Sequence, residues 1–399
     1  MTTVEQAEQI ILSQLRNYGT ETVNFEQALG YVLAEDIIAD RDLPPFNRVT
    51  MDGIAITYNA IEQGINTFNI KATQAAGDEP VGIDNAEECI EIMTGAALAS
   101  SLDTIIRYED LEINNGVAKL LLAEVKRGQN IHLKGKDKRE GDVVAATDQL
   151  ITPAIIGLVA SVGKKEILVK KLPKVMIISS GDELVDVADT PSDYQIRRSN
   201  NYTIKAVLKQ RGLNADMLHI PDDHGIIKQQ IQYCLQSYDV ILLSGGVSMG
   251  KFDYIPQALE DLQVEKLFHK VQQRPGKPFW FGKQENGALV FAFPGNPVAT
   301  FMCLHRYFLL WLNATIGLTK EASVYAILDQ DITFMPPLTY FLQVKLTYTE
   351  LGVLSARPIE GNGSGDFANL ADTDAFMKLP MERNEFKKGE VYEVIRFDL

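Results

Sequence analysis

The middle of the chain alternates short apolar runs with segments of helical periodicity. Predicted strands cover residues 174–179, 215–220 and 239–243, and predicted helices lie near residues 200–211 and 225–236. Continuous apolar runs are typical of strands that are covered on both faces of a sheet. Repeated strand–helix units favour a parallel, doubly wound sheet with right-handed crossovers. This pattern predicts an α/β domain in the middle of the chain.

The segments on either side of this region favour β structure. Residues 56–133 alternate short β-like runs with turns rich in Gly, Asn and Asp, and residues 323–399 show a similar rhythm. Such spacing of strands and turns is typical of small β-rich domains. One β-rich domain is therefore predicted before the α/β domain and one after it.

Three further helices are predicted outside the α/β region. Thr3 begins a capping box, and the helix after it should carry an apolar face that extends to Leu15. A short helix is expected over residues 25–29 and a strand over residues 32–39. The clearest helix covers residues 152–163, which begin with Thr-Pro and end with Gly.

Composition and charge restrict the function classes. The 399-residue chain is long enough for two to four domains, and no apolar run approaches the ~18 residues of a membrane span. The N-terminus is polar and acidic, so no signal peptide is expected. A formal net charge of −15 argues against nucleic acid as a general partner. Cys89, Cys234 and Cys303 are widely separated, so they are interpreted as reduced thiols of a cytoplasmic protein.

Carboxylates follow three of the predicted strands. Asp182 and Glu183 follow the first, Asp222 and Asp223 follow the second, and Asp253 lies in the loop after the third. Ligands of doubly wound sheets bind beyond the carboxyl ends of the strands. These side chains could simply keep the loops soluble, but a divalent-cation site explains them equally well.

The loop after the third strand reads SGGVSMGKFD. Gly245 and Gly246 let backbone amides approach an anion, and a predicted helix over residues 254–262 follows. Gly245 to Lys251 also fits the phosphate-loop pattern of nucleoside triphosphatases. Phe252 then replaces the Ser or Thr that this pattern requires, which disfavours the class. A glycine-rich turn without a ligand is the simpler alternative.

Basic residues are concentrated in two stretches, residues 126–139 and residues 274–283. The second stretch contains P-G-K-P with Arg274 and Lys277, and P-G-N-P follows before an apolar helix predicted over residues 298–312. In an acidic protein, an anionic ligand needs such a locally basic site.

Short motifs follow one another in a fixed order along most of the chain. They read LPPF-x-x-x-x-MDG-x-A, MTGA, G-x-NI, TPA-x-IG-x-x-ASVG, SSGDEL, SGGVSMG, RPGKPFWFGK, FPGNPV, and GNGSGD followed by LAD-x-D. Each motif alone is weak, whereas their joint order and spacing are specific. The chain therefore resembles the molybdopterin molybdenumtransferases, the MoeA family that includes the E domain of gephyrin.

The resemblance implies the last step of molybdenum cofactor synthesis. Adenylylated molybdopterin is bound, molybdate is inserted into its dithiolene, and AMP is released in a Mg²⁺-dependent step. Because the substrate brings two sulfurs for the soft metal, the protein needs no cysteine ligands. It must instead hold phosphates, a hard cation and a tetrahedral oxyanion.

The residues expected in such a site share oxygen ligands, phosphate-binding amides or positive charge. They are Gly245, Gly246 and Ser248 for phosphate, Asp253, Asp222 and Glu183 for Mg²⁺, Lys277, Arg274 and Arg357 for molybdate, and Thr94, Asp137, Asn296 and Ser364 elsewhere in the substrate site. Among them, the expected catalytic residues are Asp253, Glu183, Asp222 and Lys277.

The resemblance also implies a domain plan. It consists of a split N-terminal helical domain (1–46 with 135–171), an inserted β-rich domain (47–134), a MogA-like doubly wound α/β domain that carries the substrate site (172–318), and a C-terminal β domain (319–399). The family is homodimeric with its cleft between subunits. A MogA-like adenylyltransferase is a candidate upstream partner.

The chain departs from the family pattern at a few positions. Asn47 stands where Asp is usual, His132 where Arg is common, Lys136 where Glu is usual, and Arg197 and Arg198 where an acidic residue is usual. Except for His132, these changes make the expected cleft more positive. They motivate a second hypothesis, a catalytically weakened member that acts as a molybdopterin-binding or scaffold protein. A phosphate-loop nucleotidase is the third hypothesis.

Overall fold

The computed structural model describes residues 1–246, 254–285, 287–318, 323–361, 363 and 365–397. The chain divides into two compact units. The first comprises Met1–Ala34, Asp148–Thr152 and Ile167–Leu399, and the second comprises Glu35–Thr147 and Pro153–Glu166. None of the helices in the described part of the chain combines the length and apolar character that a membrane span requires.

A six-stranded sheet forms one core of the first unit. Four strands are parallel neighbours and the last two pair antiparallel. Their order is Ala215–Ile220, Val175–Ser180, Val240–Ser244, Leu289–Phe293, Trp280–Lys283 and Glu265–His269. Every residue of the second, third and fourth strands is buried. Burial on both faces is the reason that these strands are continuous apolar runs, and it confirms the doubly wound prediction.

Two apolar clusters cover the two faces of this sheet. Ile177, Leu242 and Phe291 pack in one cluster, and their chain neighbours Ile178, Leu243 and Val290 pack in the other. This alternation follows from the two-residue period of a strand. The covering helices are Ser199–Gln210, Pro297–Cys303, the π-helical turn Leu304–Phe308 and Leu309–Thr315 on the first face, and His224–Ser237 and Ile255–Asp261 on the second.

The C-terminal part of the first unit is a closed β structure. Its strands are Thr339–Tyr348, Leu354–Pro358, Val324–Leu328, Val391–Arg396 and Ala375–Leu379, and the last pairs back with the first. Gln273–Arg274 adds a short parallel strand, Ile332–Thr333 pairs with Glu385–Phe386, and Ala368–Ala371 is a 3₁₀ turn. Closure removes the exposed sheet edges, and the β-rich character predicted for this region is confirmed.

The second unit contains a separate six-stranded sheet. The order is Thr104–Arg107, Gly53–Ile56, Glu88–Ile92, Thr67–Gln74, Val117–Leu120 and Leu111–Asn114. Two small ladders, Arg48–Val49 with Ile131–His132 and Ile37–Ile38 with Val143–Ala145, and the segments Tyr58–Glu62, Tyr108–Asp110 and Pro153–Ser161 complete it. The β-rich character predicted for this region is confirmed.

Three predicted elements near the N-terminus are wrong in extent. The first helix has the expected capping box at Thr3 but covers only Val4–Leu12, and Leu15 lies beyond it and is exposed. The predicted strand over residues 32–39 is reduced to isolated bridges at Val32 and Leu33 and the short strand Ile37–Ile38. Residues 25–29 form only the 3₁₀ turn Phe25–Gln27, and the strand Thr20–Asn24 before it pairs with Glu166–Lys170.

Candidate functional site

A cavity of 710 Å³ lies at the carboxyl ends of the parallel strands in the first unit. Its walls come from several segments that are distant in sequence. They are Ser179, Ser180, Glu183 and Leu184 at and after the end of one strand, Ser244, Gly245 and Gly246 at the end of the next, Ile196, Arg197, Arg198, Ser199, Asn200 and Asn201 around the start of a helix, Pro278, Pro294, Gly295, Asn296 and Pro297 from the P-G-K-P and P-G-N-P loops, and Gly365. This position is the usual ligand site of a doubly wound sheet.

Both glycines after Val240–Ser244 have a positive φ, and close packing additionally requires glycine at Gly246. Gly246 has φ +68°, and a Cβ there would lie 2.4 Å from Ile255 Cδ1 and 2.7 Å from Ser180 Oγ. Gly245 has φ +94° and its amide donates to the Phe293 carbonyl at 3.2 Å. The backbone of this loop therefore forms part of the cavity wall without side chains in the way.

Asn200 connects three walls of the cavity. Its side-chain amide donates to Ser244 Oγ at 2.8 Å, to the Gly295 carbonyl at 2.8 Å and to Thr300 Oγ1 at 3.4 Å. The neighbouring Asn201 is 2% exposed and donates to Ser179 Oγ at 3.2 Å. These amides fix the start of the helix against the strand ends. Asn200 and Asn201 are not among the predicted site residues, although a pair of polar residues at the start of a helix that follows a strand is a signal for them in the sequence.

A half-buried histidine extends this polar network. His219 Nδ1 lies 3.1 Å from Ser179 Oγ. Burial, assisted by the positive charge of Arg198, lowers the pKa of His219. The imidazole is therefore mainly neutral near pH 7 and serves as a hydrogen-bonding group beneath the cavity.

Glu183 and Asp222 line a second cavity of 100 Å³. Its walls share Ser180, Glu183 and Gly246 with the large cavity. The other two predicted acidic residues have structural contacts: Asp182 Oδ1 accepts from the Asp222 amide at 3.1 Å, and Asp223 caps the helix His224–Ser237. Within the described residues, no three Asp, Glu, His or Cys side chains gather closely enough to hold a metal ion. The predicted residues Ser248, Asp253 and Ser364 lie outside the described residues.

The predicted basic residues lie outside the walls of the large cavity, among the residues that the structure describes. Lys277 is exposed in the P-G-K-P loop, directly before the wall residue Pro278. Arg274 lies over the Phe334 ring with 5.9 Å between its guanidinium carbon and the ring centroid. Arg357 is exposed on the closed β structure, opposite Lys345.

The substituted positions Arg197 and Arg198 instead supply the positive charge of the cavity wall. Arg198 forms an ion pair with Asp186, and Arg197 Nε donates to the Val187 carbonyl at 3.1 Å. Both residues precede the helix Ser199–Gln210. Positive charge at this end of a helix adds to the helix dipole and favours an anion.

Thr94 and Asp137 lie in the second unit. The Thr94 amide donates to Asp52 Oδ1 at 2.6 Å, and hydrogen bonds from Thr94 lower the pKa of Asp52. The MDG and MTGA motifs therefore meet at this contact. Asp137 Oδ1 lies 2.8 Å from His132 Nε2, and His132 Nδ1 lies 3.3 Å from an Arg48 nitrogen.

Two other substituted positions lie in the same region of the second unit. Asn47 Oδ1 accepts from the Lys134 amide at 2.9 Å, a role that an aspartate oxygen can also fill. Lys136 is exposed, and its amide donates to the Leu133 carbonyl. These contacts are turn contacts, so both residues are compatible with the local fold.

Comparison with known proteins identifies three matching regions. Residues 2–163 match the MoeA N-terminal region (domain I and II), residues 176–313 match a probable molybdopterin binding domain, and residues 325–397 match the MoeA C-terminal region (domain IV). The three matches follow one another along the chain in the order that the motifs indicate.

Whole-chain relatives support the same grouping. A molybdopterin molybdenumtransferase of Synechocystis sp. is 38% identical over 395 residues, which cover 98% of this chain and 99% of that protein. One from Staphylococcus aureus is 31% identical and covers 98% and 94%. A crystal structure of a molybdopterin biosynthesis MoeA protein from Pyrococcus horikoshii has a TM-score of 0.82, with 26% identity and 99% coverage of both chains. The chain belongs to the molybdopterin molybdenumtransferase family, whose members are transferases of molybdenum cofactor biosynthesis.

Proposed function

We propose that the chain inserts molybdate into adenylylated molybdopterin and releases AMP in a Mg²⁺-dependent step. The observation that carries this proposal is the pair of cavities that share Ser180, Glu183 and Gly246. One cavity is large enough for part of a nucleotide–pterin substrate. The other presents carboxylate oxygens beside it.

The large cavity suits the phosphates of the substrate. Backbone groups at Gly245 and Gly246 approach the space directly, and Arg197 and Arg198 give it positive charge in a protein of net charge −15. Amides and guanidinium groups bind phosphate by charge-assisted hydrogen bonds. Ser248, in the same glycine loop, is proposed to add a hydroxyl.

The small cavity suits a magnesium ion. Glu183 and Asp222 offer oxygen ligands, which Mg²⁺ prefers, and substrate phosphates and water commonly complete its shell. Asp253 follows the same glycine loop in sequence and is proposed as the third carboxylate. When bound, Mg²⁺ offsets negative charge on phosphate oxygens. The role of the chain's own carboxylates is to hold the cation beside the phosphates.

Lys277, with Arg274 and Arg357, is proposed to bind molybdate. Lys277 is exposed beside the wall residue Pro278, so its ammonium group is free to approach a small oxyanion there. Asn296 in the P-G-N-P wall, and Thr94, Asp137 and Ser364, are proposed as further substrate contacts. We also propose a cytoplasmic homodimer that accepts its substrate from a MogA-like adenylyltransferase, with domain limits as the sequence predicts.

The second candidate is a molybdopterin-binding scaffold without turnover. The positive charge of Arg197 and Arg198 in the cavity wall favours it, because tight anion binding slows product release. Mixing the purified protein with adenylylated molybdopterin, Mg²⁺ and molybdate separates the two functions. Release of AMP with formation of the molybdenum cofactor is expected. Pterin binding without AMP would support the scaffold, and ATP hydrolysis without pterin would support a nucleotidase.

Removal of one carboxylate should weaken magnesium binding and so raise the Mg²⁺ concentration that AMP release requires. Glu183→Gln and Asp222→Asn should each raise the half-saturating Mg²⁺ concentration for AMP release about tenfold, which corresponds to about 1.4 kcal/mol. Asp253→Asn should abolish AMP release and leave pterin binding measurable. Asp193→Asn, at an exposed position away from both cavity walls, is the matched control and should be unchanged. If all three variants gave the same Mg²⁺ titration as the parent chain, these carboxylates would not be magnesium ligands.

Loss of the Lys277 ammonium group should affect molybdate rather than pterin. A charge-assisted hydrogen bond contributes about 1.5–3 kcal/mol, so Lys277→Ala should raise the half-saturating molybdate concentration about 10- to 150-fold. Pterin affinity should change little. Lys266→Ala, which removes another exposed lysine of the same unit, is the control. If the molybdate titration of Lys277→Ala were unchanged, Lys277 would have only a structural role in the P-G-K-P turn.

A further inference from the structure

A buried amide side chain lies directly beneath the P-G-K-P loop. Gln273 is 0% exposed, although it precedes the exposed Arg274. Its Nε2 donates to the Gly276 carbonyl at 3.0 Å and lies 3.6 Å from Cys303 Sγ, and its Oε1 accepts from the Tyr307 hydroxyl. Every polar group of this amide therefore has a partner inside an otherwise apolar core.

The Tyr307 hydroxyl, which donates to Gln273, is equally buried. Tyr307 is 0% exposed, and its ring centroid lies 4.9 Å from that of Phe279. Burial raises the pKa of Tyr307 well above its ordinary value, so the hydroxyl stays protonated and remains a donor. Tyr307 lies in the π-helical turn Leu304–Phe308, which continues the helix Pro297–Cys303 that begins at the P-G-N-P loop.

The loop itself is tightly packed against the same helix. The Val271 amide donates to the Lys277 carbonyl at 2.9 Å, which closes the loop at its base. Gly276 has φ +88°, and a Cβ there would lie 2.7 Å from Cys303 Sγ and 2.8 Å from Gln273 Nε2. The loop therefore rests on Cys303 and Gln273 and has no room to shift toward the helix.

We propose that the Gln273–Tyr307 hydrogen bond is a positioning device that fixes the P-G-K-P loop, and with it Lys277, relative to the cavity wall at P-G-N-P. Gln273 and Tyr307 are positioning residues, since neither side chain reaches solvent or substrate. A fully satisfied polar pair in an apolar core specifies one arrangement of the groups it joins. The proposal rests on the proposed role of Lys277 in binding molybdate.

Tyr307→Phe removes only the hydroxyl and keeps the ring. In the full-length protein, we expect the half-saturating molybdate concentration for AMP release to rise about tenfold, equivalent to about 1.4 kcal/mol, with pterin affinity changed less than about twofold. We also expect faster hydrogen exchange of the Val271 amide, because its acceptor at Lys277 lies in the released loop. The exchange measurement does not depend on what Lys277 binds.

A double variant separates positioning from simple loss of stability. Tyr307→Phe leaves a buried acceptor on Gln273 without its donor and should lower the thermal midpoint. Adding Gln273→Met removes that acceptor but also removes the donor to the Gly276 carbonyl, so it should restore part of the midpoint. The raised molybdate requirement should persist in the double variant, because the link is still absent. Phe308→Leu, a buried neighbour that packs on Phe291 and Trp311, should lower stability and leave the molybdate titration unchanged.

The outcomes distinguish the positioning role from the role of Lys277. Unchanged exchange at Val271 in Tyr307→Phe would overturn the positioning proposal, as would a molybdate requirement that returns to the parental value together with stability in the double variant. If Lys277→Ala does not alter the molybdate titration but Val271 exchanges faster in Tyr307→Phe, the anchoring of the loop is supported and the proposed role of Lys277 fails.

Discussion

The parallel pairing of three buried strands is the constraint on which the site depends. Ser179 is in register with His219 on one side and with Ser244 on the other, and Ser244 is in register with Phe293. Because parallel strands end at the same edge, burial of their apolar residues brings these positions into one row. The cavity therefore follows from the packing of the core. At Gly246 the backbone packs so closely against Ile255 and Ser180 that a Cβ atom would not fit.

Uncharged groups hold the walls of the cavity together, and charged groups line the space that a ligand would enter. Asn200 connects the helix start to the strand end and to the P-G-N-P loop with neutral hydrogen bonds. A similar neutral amide, Gln273, supports the P-G-K-P loop from below. Neutral donors are suited to this role because they bear no net charge that would compete with a phosphate or an oxyanion. Charge is thereby concentrated at Glu183, Asp222 and Arg198, in the walls of the two cavities.

Much of the fold could be predicted from the sequence, because the buried strands are continuous apolar runs and the helices have clear periodicity. The strand Ala215–Ile220 has the predicted limits, and Val240–Ser244 differs by one residue at each end. The segment 32–39 is not one strand because Val32 and Leu33 are buried at isolated bridges and only Ile37–Ile38 forms a strand. The π-helical turn Leu304–Phe308 is not predicted, because the spacing of apolar residues over this segment does not distinguish a π-helical turn from an α-helical one.

The polar network could not be predicted for a different reason. The partners of Asn200 are 44, 95 and 100 residues away, and Gln273 and Tyr307 are separated by 34 residues. No local pattern specifies contacts over such distances. In contrast, Glu183 and Asp222 could be placed near each other because each follows a strand of the same parallel sheet.

Simultaneous measurement of AMP and of pterin-bound molybdenum in a single turnover is the sharpest test of whether the chain inserts molybdate with release of AMP. The protein is held in excess over adenylylated molybdopterin, with Mg²⁺ and molybdate present. We expect AMP and pterin-bound molybdenum in equal amounts from the parent chain, and neither from Gly246→Ala, whose added Cβ would collide with Ile255 and Ser180. Bound substrate that yields neither product in the parent chain, or equal product from Gly246→Ala, would contradict the account.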